Sequence, residues 1–334
     1  MKTANRLSFL VLLAIAMTAQ LPTTVRAADR LIGLHSAQVM SQSMPWIARE
    51  AGLFKKYDID FNLVFIPSSP VATAATLSGD ADIGVTGAVG NVRAIVQGNT
   101  DLVFIGGMKN FLTHSIMGKA DIKTPQDLKG KKVAVGRFGG NTHYFVIQAL
   151  KRLGMDASRD IQTIQTGGGP ETVASLLGGN VDAAGLVAPG DFQVASKGYR
   201  YVVNGFDLKI PYAATCVVVL RSLINKRGPV IGRFMRAMAE ASKLMHSDRA
   251  LLYKVLGKYL RITDQKVLDA SYNSEIQAME RRLEIHDAAL QASLDEIAPT
   301  DPRAKAIKPA DMIDRRYVDA LERSGFFDKL WAKR

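Results

Sequence analysis

The sequence predicts an α/β protein of two lobes, each a mostly parallel sheet flanked by helices, with a helical C-terminal region packed on the first lobe. Three observations carry this. Short apolar runs alternate with helix-period segments from about residue 30 to about residue 190, the pattern of β-α units in a sheet covered on both faces. The stretch "LSGDADIGVTG" (77–87) is echoed one hundred residues later by "LGGNVDAAGLV" (177–187), a spacing far too long for a solenoid. From Pro229 onward the pattern is helical throughout.

The elements follow in order. "RLIGLHS" (30–36) reads as a buried strand. Ser43 offers an N-cap and Pro45 sits near the first helical position. Met44, Ile47, Ala48, Ala51 and Phe54 then fall on one helix face. "DFNLVFI" (60–66) is the second strand. "PSSP" follows, with Ser69 as N-cap and Pro70 at the first helical position, and Gly79 ends that helix. "ADIGVTG" is a strand, "GNVRAIVQG" a helix, and "DLVFIGG" (101–107) a strand. A second round begins after "THSIMGKA". "TPQDLKG" (124–130) is a short helix, "KKVAVGRF" a strand, and "GGNTHYFVIQALKRLG" a helix with Phe145, Val146, Ala149 and Leu150 on its apolar stripe. "DIQTIQT" is a strand, "GGGP" opens a helix that Gly179 ends, and "VDAAGLVAP" is the strand matching "ADIGVTGAV". "YAATCVVVLRSL" (212–223) is a further strand. Five helical segments follow, with Thr263 as an N-cap and Gly325 as a stop.

At an offset of 100, Pro70, Ala74, Leu77, Gly79, Asp82, Ala88, Gly90 and Gly98 meet residues of their own type. Any two β-α-β units share a capping proline and a stop glycine. That accounts for Pro70 and Gly79, but less easily for Asp82, Gly90 and Gly98 in one register. The expectation is two similar lobes. Lobe 1 is discontinuous (28–115 and 212–334), and lobe 2 (116–211) is inserted through two crossing strands.

The chain has 334 residues, of which 47% are hydrophobic and 22% charged. Lys2 and Arg6 precede the apolar run "LSFLVLLAIAM" (7–17), and "VRA" ends at Ala27. This is the layout of a secretory signal peptide, residues 1–27, with cleavage expected after Ala27. The run is shorter than the roughly 20 apolar residues a membrane span needs. No cysteine lies near the cut, so the expected product is free in the periplasm rather than lipid-anchored. The single cysteine, Cys216, sits in "ATCVVVL" and is expected to be buried and inert. Without Lys2, Arg6 and Arg26 the net charge of +12 becomes +9, from 40 basic and 31 acidic side chains. The charges are dispersed, so the basic balance reads as a surface that mildly attracts anions, not as a nucleic-acid face.

In open α/β sheets a ligand lies outside the carboxyl ends of the strands. The loops there are "HSAQ" (35–38), "PSSP" (67–70) and "TGAVG" (86–90) in the first lobe. In the second they are "RFGGNTH" (137–143), "TGGGP" (166–170) and "VAP" (187–189). They are rich in glycine and small hydroxyl residues and nearly devoid of acids. The candidate contacts are His35, Ser36, Gln38, Ser68, Ser69, Thr86, Gly87 and Ala88 on one side. On the other they are Gly140, Asn141, Thr142, His143, Gly168, Gly169, Val187 and Ala188. Each helix N-terminus presents free N–H groups and about half a positive charge. Facing lobes would therefore build an anion site. The five histidines show no metal-ligand spacing, and no nucleophile elbow or Walker loop occurs, so no metal, cofactor or catalytic residue is expected.

Several stretches together resemble a known family. They are "PxxAxEAGLFKKY" (45–57, with x read as any residue), "SGDADIG" (78–84), "DLKGKKVAV" (127–135), "THYF" (142–145), "GGNVDAA" (178–184) and "DRRYVDALERSGF" (314–326). They are similar to the nitrate/sulfonate/taurine-type periplasmic binding proteins of ABC importers, the NMT1/SsuA-like family. The resemblance implies a two-lobed periplasmic-binding-protein fold of type II. It further implies a monomeric receptor that closes on a small-molecule anion and docks on an inner-membrane ABC permease driven by its ATPase. Where family members carry serines this chain has Gly140 and Asn141, and where many carry an aromatic it has Ala184, Leu186 and Val187. These departures point to a bulkier organic anion, an aromatic carboxylate or sulfonate, rather than taurine or nitrate. A sensor that signals to a receptor kinase fits the sequence equally well. A thiamine-precursor pyrimidine synthase shares the fold but carries a cysteine-rich motif, which this chain lacks.

Overall fold

A computed structural model describes residues 27–332. The expected export signal lies, apart from Ala27, outside the described residues. Two five-stranded sheets form the centres of two lobes. The first holds β1 (Asp29–His35), β2 (Ile59–Phe65), β3 (Ile83–Thr86), β4 (Leu102–Leu112) and β10 (Ile210–Leu220), in the order β2-β1-β3-β10-β4. The second holds β5 (Ser115–Gly118), β6 (Lys132–Val135), β7 (Gln162–Gln165), β8 (Ala183–Leu186) and β9 (Arg200–Asn204), in the order β7-β6-β8-β5-β9. In each sheet three parallel strands are followed by one antiparallel strand delivered by a crossing segment. The chain leaves the first sheet from β4 into β5 and returns from β9 into β10. The two crossings run side by side, with Ile210 paired to Leu112.

The repeat has a physical explanation. Helices Ser69–Leu77 and Gly169–Leu177 sit one hundred residues apart, as do β3 and β8. Asp82 accepts a hydrogen bond from the backbone N–H of Ile32 at 2.8 Å, and Asp182 accepts one from Lys132 at 3.0 Å. Each carboxylate ties the entry of the third strand to the first. Gly79 and Gly179 take φ of +82° and +74° after their helices, a conformation that disfavours any other residue.

Both faces of each sheet are covered, which explains why β4 is buried along nearly its whole length. On one face of the first sheet, Phe54, Phe61 and Phe234 cluster with ring centroids 4.4–5.9 Å apart. Helices Met44–Glu50 and Arg221–Ser247 pack there. Helices Ala88–Val96 and Asp287–Ile297 cover the other face. In the second lobe, helix Asn141–Arg152 packs on one face and helices Gly169–Leu177 and Gly190–Ala195 on the other. No helix among the described residues is long and apolar enough to cross a membrane.

Local differences from the sequence reading have local causes. The helix from Met44 stops at Glu50, and Gly52 at φ +69° starts a separate turn, Leu53–Lys56. Ser43 caps nothing; its hydroxyl donates to the Met40 carbonyl at 2.7 Å. The cap position before helix Ser69–Leu77 is Ser68, at φ +82°, and Ser69 is already helical. Asp264, not Thr263, caps helix Gln265–Glu275. The last long helix begins at Arg221. Pro229 lacks an N–H for the carbonyl four residues back, and the chain kinks at Arg227 to accommodate it.

Candidate functional site

A cleft of about 120 Å³ lies between the carboxyl ends of the two sheets. At roughly 10–15 Å³ per water-sized position, it holds on the order of ten such positions. Four of the sequence candidates line it from the first lobe: Ser36, Gln38, Ser68 and Ser69. Gln42 shapes that wall. Its amide oxygen accepts from the N–H groups of Ser36 (2.7 Å) and Ala37 (2.9 Å), and its amide nitrogen donates to the Ser36 hydroxyl at 3.1 Å. Ser41 and Thr215 share a hydroxyl–hydroxyl bond of 2.8 Å, which fixes this wall to the returning strand β10.

Six more line the cleft from the second lobe: Gly140, Asn141, Thr142, Gly168, Gly169 and Val187. Gly140 to Thr142 enter helix Asn141–Arg152, and Gly168 and Gly169 enter helix Gly169–Leu177. These helix starts, whose first N–H groups have no partner within the helix, border one space. Asn141 reaches across the gap, donating from its side chain to the Ala214 carbonyl at 2.8 Å. It also abuts Gly87, where an added Cβ would come within 2.1 Å of the Asn141 side-chain oxygen.

The other six candidates do not line the cleft. His35 sits behind the wall, its ring 5.1 Å from Trp46 and 5.0 Å from Phe65 and its Nδ1 bonded to the Ala37 carbonyl. Burial lowers its pKa. Thr86 and Ala88 are fully buried in the first lobe. Gly87 meets Asn141 rather than open space. His143 turns back to accept from the Gly139 N–H at 3.2 Å and packs edge-on against Phe138. Ala188 is buried at the end of β8.

Three cleft residues were not among the named candidates, although Arg137 belongs to the loop 137–143, and two of them carry its positive charge. Arg137, at the start of the second-lobe loop, has no carboxylate within ion-pair distance among the described residues, and its Nε is buried without a hydrogen-bond partner. Lys109, on β4, is 2% exposed, with its ammonium 2.6 Å from Glu275 and 2.7 Å from the Thr113 hydroxyl. His114, at the crossing, is fully buried against Phe145. Burial, reinforced by the positive charge of Lys109, pushes its pKa down to about 3, so it is neutral at physiological pH.

Among the described residues, no acidic side chain lines the cleft. Four residues that line it carry a buried polar atom without a hydrogen-bond partner: Ser68 Oγ, Arg137 Nε, His114 Nδ1 and Asn141 Oδ1, the last of them turned toward Gly87. Native interiors leave few such groups unpaired, and a bound polar solute could satisfy those that face the cleft. The first two are donors, and the guanidinium is a fixed cation.

The chain is similar to known proteins in sequence and in fold. A family profile described as NMT1/THI5 like matches residues 43–249. A protein from Brucella abortus named as a binding protein is 28% identical over 230 residues, 68% of this chain and 70% of that protein. The taurine-binding periplasmic protein of Escherichia coli is 29% identical over 154 residues, 45% of this chain and 44% of that protein. Among solved structures, the alkanesulfonate-binding protein SsuA of Xanthomonas axonopodis bound to MOPS superposes with a TM-score of 0.72 at 21% identity. The match covers 86% of this chain and 98% of that one. The desulfurization enzyme DszB shares the fold with a TM-score of 0.66 at 13% identity, over 89% of this chain and 99% of that one.

Proposed function

Because the chain belongs to the NMT1/THI5-like family, we propose that it is the periplasmic solute-binding receptor of an ABC import system. Its two lobes, residues 28–115 with 212–334 and residues 116–211, close on a small organic anion, a sulfonate or carboxylate with room for an aromatic or aliphatic body. The closed form then presents the solute to an inner-membrane permease and its ATPase. Similarity to the taurine-binding and alkanesulfonate-binding proteins supports the solute class. The observation that carries the reading is Arg137: a guanidinium without an acidic partner, in a cleft lined by no acid. The guanidinium is half-buried, its Nε has no hydrogen-bond partner, and an anion in the cleft would supply both the acceptor and the counter-charge.

The binding step follows from the walls. The guanidinium offers a fork of N–H donors suited to a carboxylate or sulfonate. The Ser68 hydroxyl and the N-termini of helices Ser69–Leu77, Asn141–Arg152 and Gly169–Leu177 add donors that hold partial positive charge. Contact with both walls favours the closed arrangement over the open one, and this difference in affinity drives closure. The cleft offers no thiol for desulfurization-type chemistry. Cys216 is buried in β10, its thiol donates to the Thr86 carbonyl at 3.1 Å, and burial pushes its pKa up.

Calorimetric titration with taurine, methanesulfonate, benzenesulfonate and benzoate tests the reading, with choline and glucose as controls. At least one anion is expected to bind, and Arg137→Met should weaken it about tenfold or more, the loss of one charge-assisted hydrogen bond. Binding of choline or glucose alone, or an Arg137→Met variant that binds the anion unchanged, would overturn it.

A further inference from the structure

Lys109 and Glu275 form the only ion pair among the described residues in which both side chains are buried, 2% and 1% exposed. They stand 166 positions apart, on β4 and at the end of helix Gln265–Glu275. Thr113 completes the group, accepting from the Lys109 ammonium and donating to the second Glu275 oxygen. Two of the three ammonium protons are thereby engaged, and Lys109 is one of the residues lining the cleft. Glu275 does not line the cleft. It opens on a separate cavity of about 360 Å³, shared with Asp191, Phe192 and Tyr201.

The charges around the ligand space can therefore be counted. Lys109 and Arg137 are the cations on its walls and His114 is neutral; among the described residues no carboxylate lines it, and Glu171, whose carboxylate lies beside Gly168, is exposed. Glu275 stands directly behind Lys109 and cancels it, which leaves one uncompensated positive charge, on Arg137. We propose that Glu275, without touching the ligand, fixes the charge number of the anion that the cleft accepts, selecting a monoanion over a dianion of the same shape. A monoanion is matched by Arg137. A dianion would carry a second charge into a closed, largely desolvated space with nothing to neutralise it. This rests on the anion reading above and adds to it a residue outside the cleft wall that sets specificity.

A merely structural pair is the competing view. Buried ion pairs contribute little net stability compared with apolar packing of the same volume. The two views differ in what they predict for charge selectivity.

Methanesulfonate and sulfate serve as probes, because they share a tetrahedral head and differ by one charge. Titrations at constant ionic strength should show the wild-type protein favouring methanesulfonate by about tenfold or more. A unit charge one side-chain length away, in a medium of effective dielectric about 20, shifts affinity by at least that order for each ligand charge. Glu275→Gln should move the sulfate-to-methanesulfonate ratio about tenfold toward sulfate. The double variant Lys109→Met with Glu275→Gln restores a single net charge and should return the ratio to the wild-type value; a structural role would not produce that return. If Glu275→Gln does not fold, the wild-type ratio and the double variant still decide. Equal wild-type affinity for the two anions, a ratio unmoved in a folded Glu275→Gln, or a double variant far from wild type would each overturn the inference. Failure of the wild-type protein to bind any anion would instead overturn the parent reading and this one with it.

Discussion

Replacing Gly87 by alanine should weaken ligand binding without loosening either lobe. The residue has φ −74° and ψ 155°, an ordinary extended conformation, so an alanine there strains no backbone. The obstacle lies across the gap. The three atoms nearest to an added Cβ all belong to Asn141, at 2.1, 2.7 and 2.7 Å. That side chain cannot swing aside freely, because it donates to the Ala214 carbonyl at 2.8 Å. Relief of the clash requires the bond to break or the lobes to part. Losing one such bond and leaving a buried carbonyl unpaired costs about 1–3 kcal/mol, charged to the closed form alone. Affinity should therefore fall by roughly five- to 150-fold. Titration with methanesulfonate measures that loss, and the melting temperature of the ligand-free protein should stay within a degree or two of wild type. A double-mutant cycle isolates the contact: in the Asn141→Ala background the Gly87→Ala change should cost little. An equal loss in both backgrounds would refute the argument, since it would place the cost somewhere other than the meeting of these two residues.

Other outcomes follow from groups away from that contact. Asp191 is buried beneath Tyr201 and near Glu275, and burial pushes its pKa up from 3.8 to about 7. Between about pH 4 and 7 the folded protein holds a proton that the unfolded chain releases, so this carboxyl lowers stability as pH rises through that window. The slope is at most about 1.4 kcal/mol per unit. Asp191→Asn should raise the melting temperature at pH 8 and leave it nearly unchanged at pH 4; parallel melting curves across that range would contradict the assignment. His114 acts with the opposite sign: its folded pKa of about 3 lies below the ordinary 6.5, so stability is lost as pH falls from 6.5 toward 3. Titrating the melting temperature of Asp191→Asn from pH 7 to pH 4 should therefore expose a steeper acid-side decline than wild type shows. Gly79→Ala and Gly179→Ala introduce a Cβ that meets nothing within 4 Å but sits at positive φ. Each should cost about 1 kcal/mol of stability, seen as a lower melting temperature, with ligand affinity unchanged.

How far the sequence could be read depended on the range of the interaction behind each feature. The alternation of strand and helix rests on local periodicity, and β1 to β4, β6 to β8 and β10 emerged where it placed them. The offset of 100 was legible because paired positions do the same local work. Asp82 and Asp182 each brace a third strand against a first, and Gly79 and Gly179 each end a helix. Segments without a periodic signature were not legible. β9 escaped because "RYVVN" is five residues with a half-exposed edge, and the early start of the last long helix was hidden by Pro229.

The cleft divides along the same line. Backbone-rich loops at strand ends could be named from turn chemistry alone, and Ser36, Ser68, Asn141 and Gly168 do meet across one gap. Thr86 and Ala88, named on the same grounds, turn inward because β3 is buried on both faces and its exit leads straight into the first-lobe core. The charged residues could not be named, because what distinguishes them is the presence or absence of a distant partner. Arg137 is one of 43 basic residues, and nothing in "GRFGG" says that no acid reaches it. Lys109 lies beyond the strand read at 101–107, and its partner Glu275 comes from a helix 166 positions away. Local pattern thus locates a space with hydrogen-bond donors around it. The net charge of that space is set by pairings that exist only after the C-terminal helices have packed against the first lobe. Substitutions in helix Gln265–Glu275, far in sequence from every loop of the cleft, should accordingly alter which anions bind while leaving the loops themselves intact.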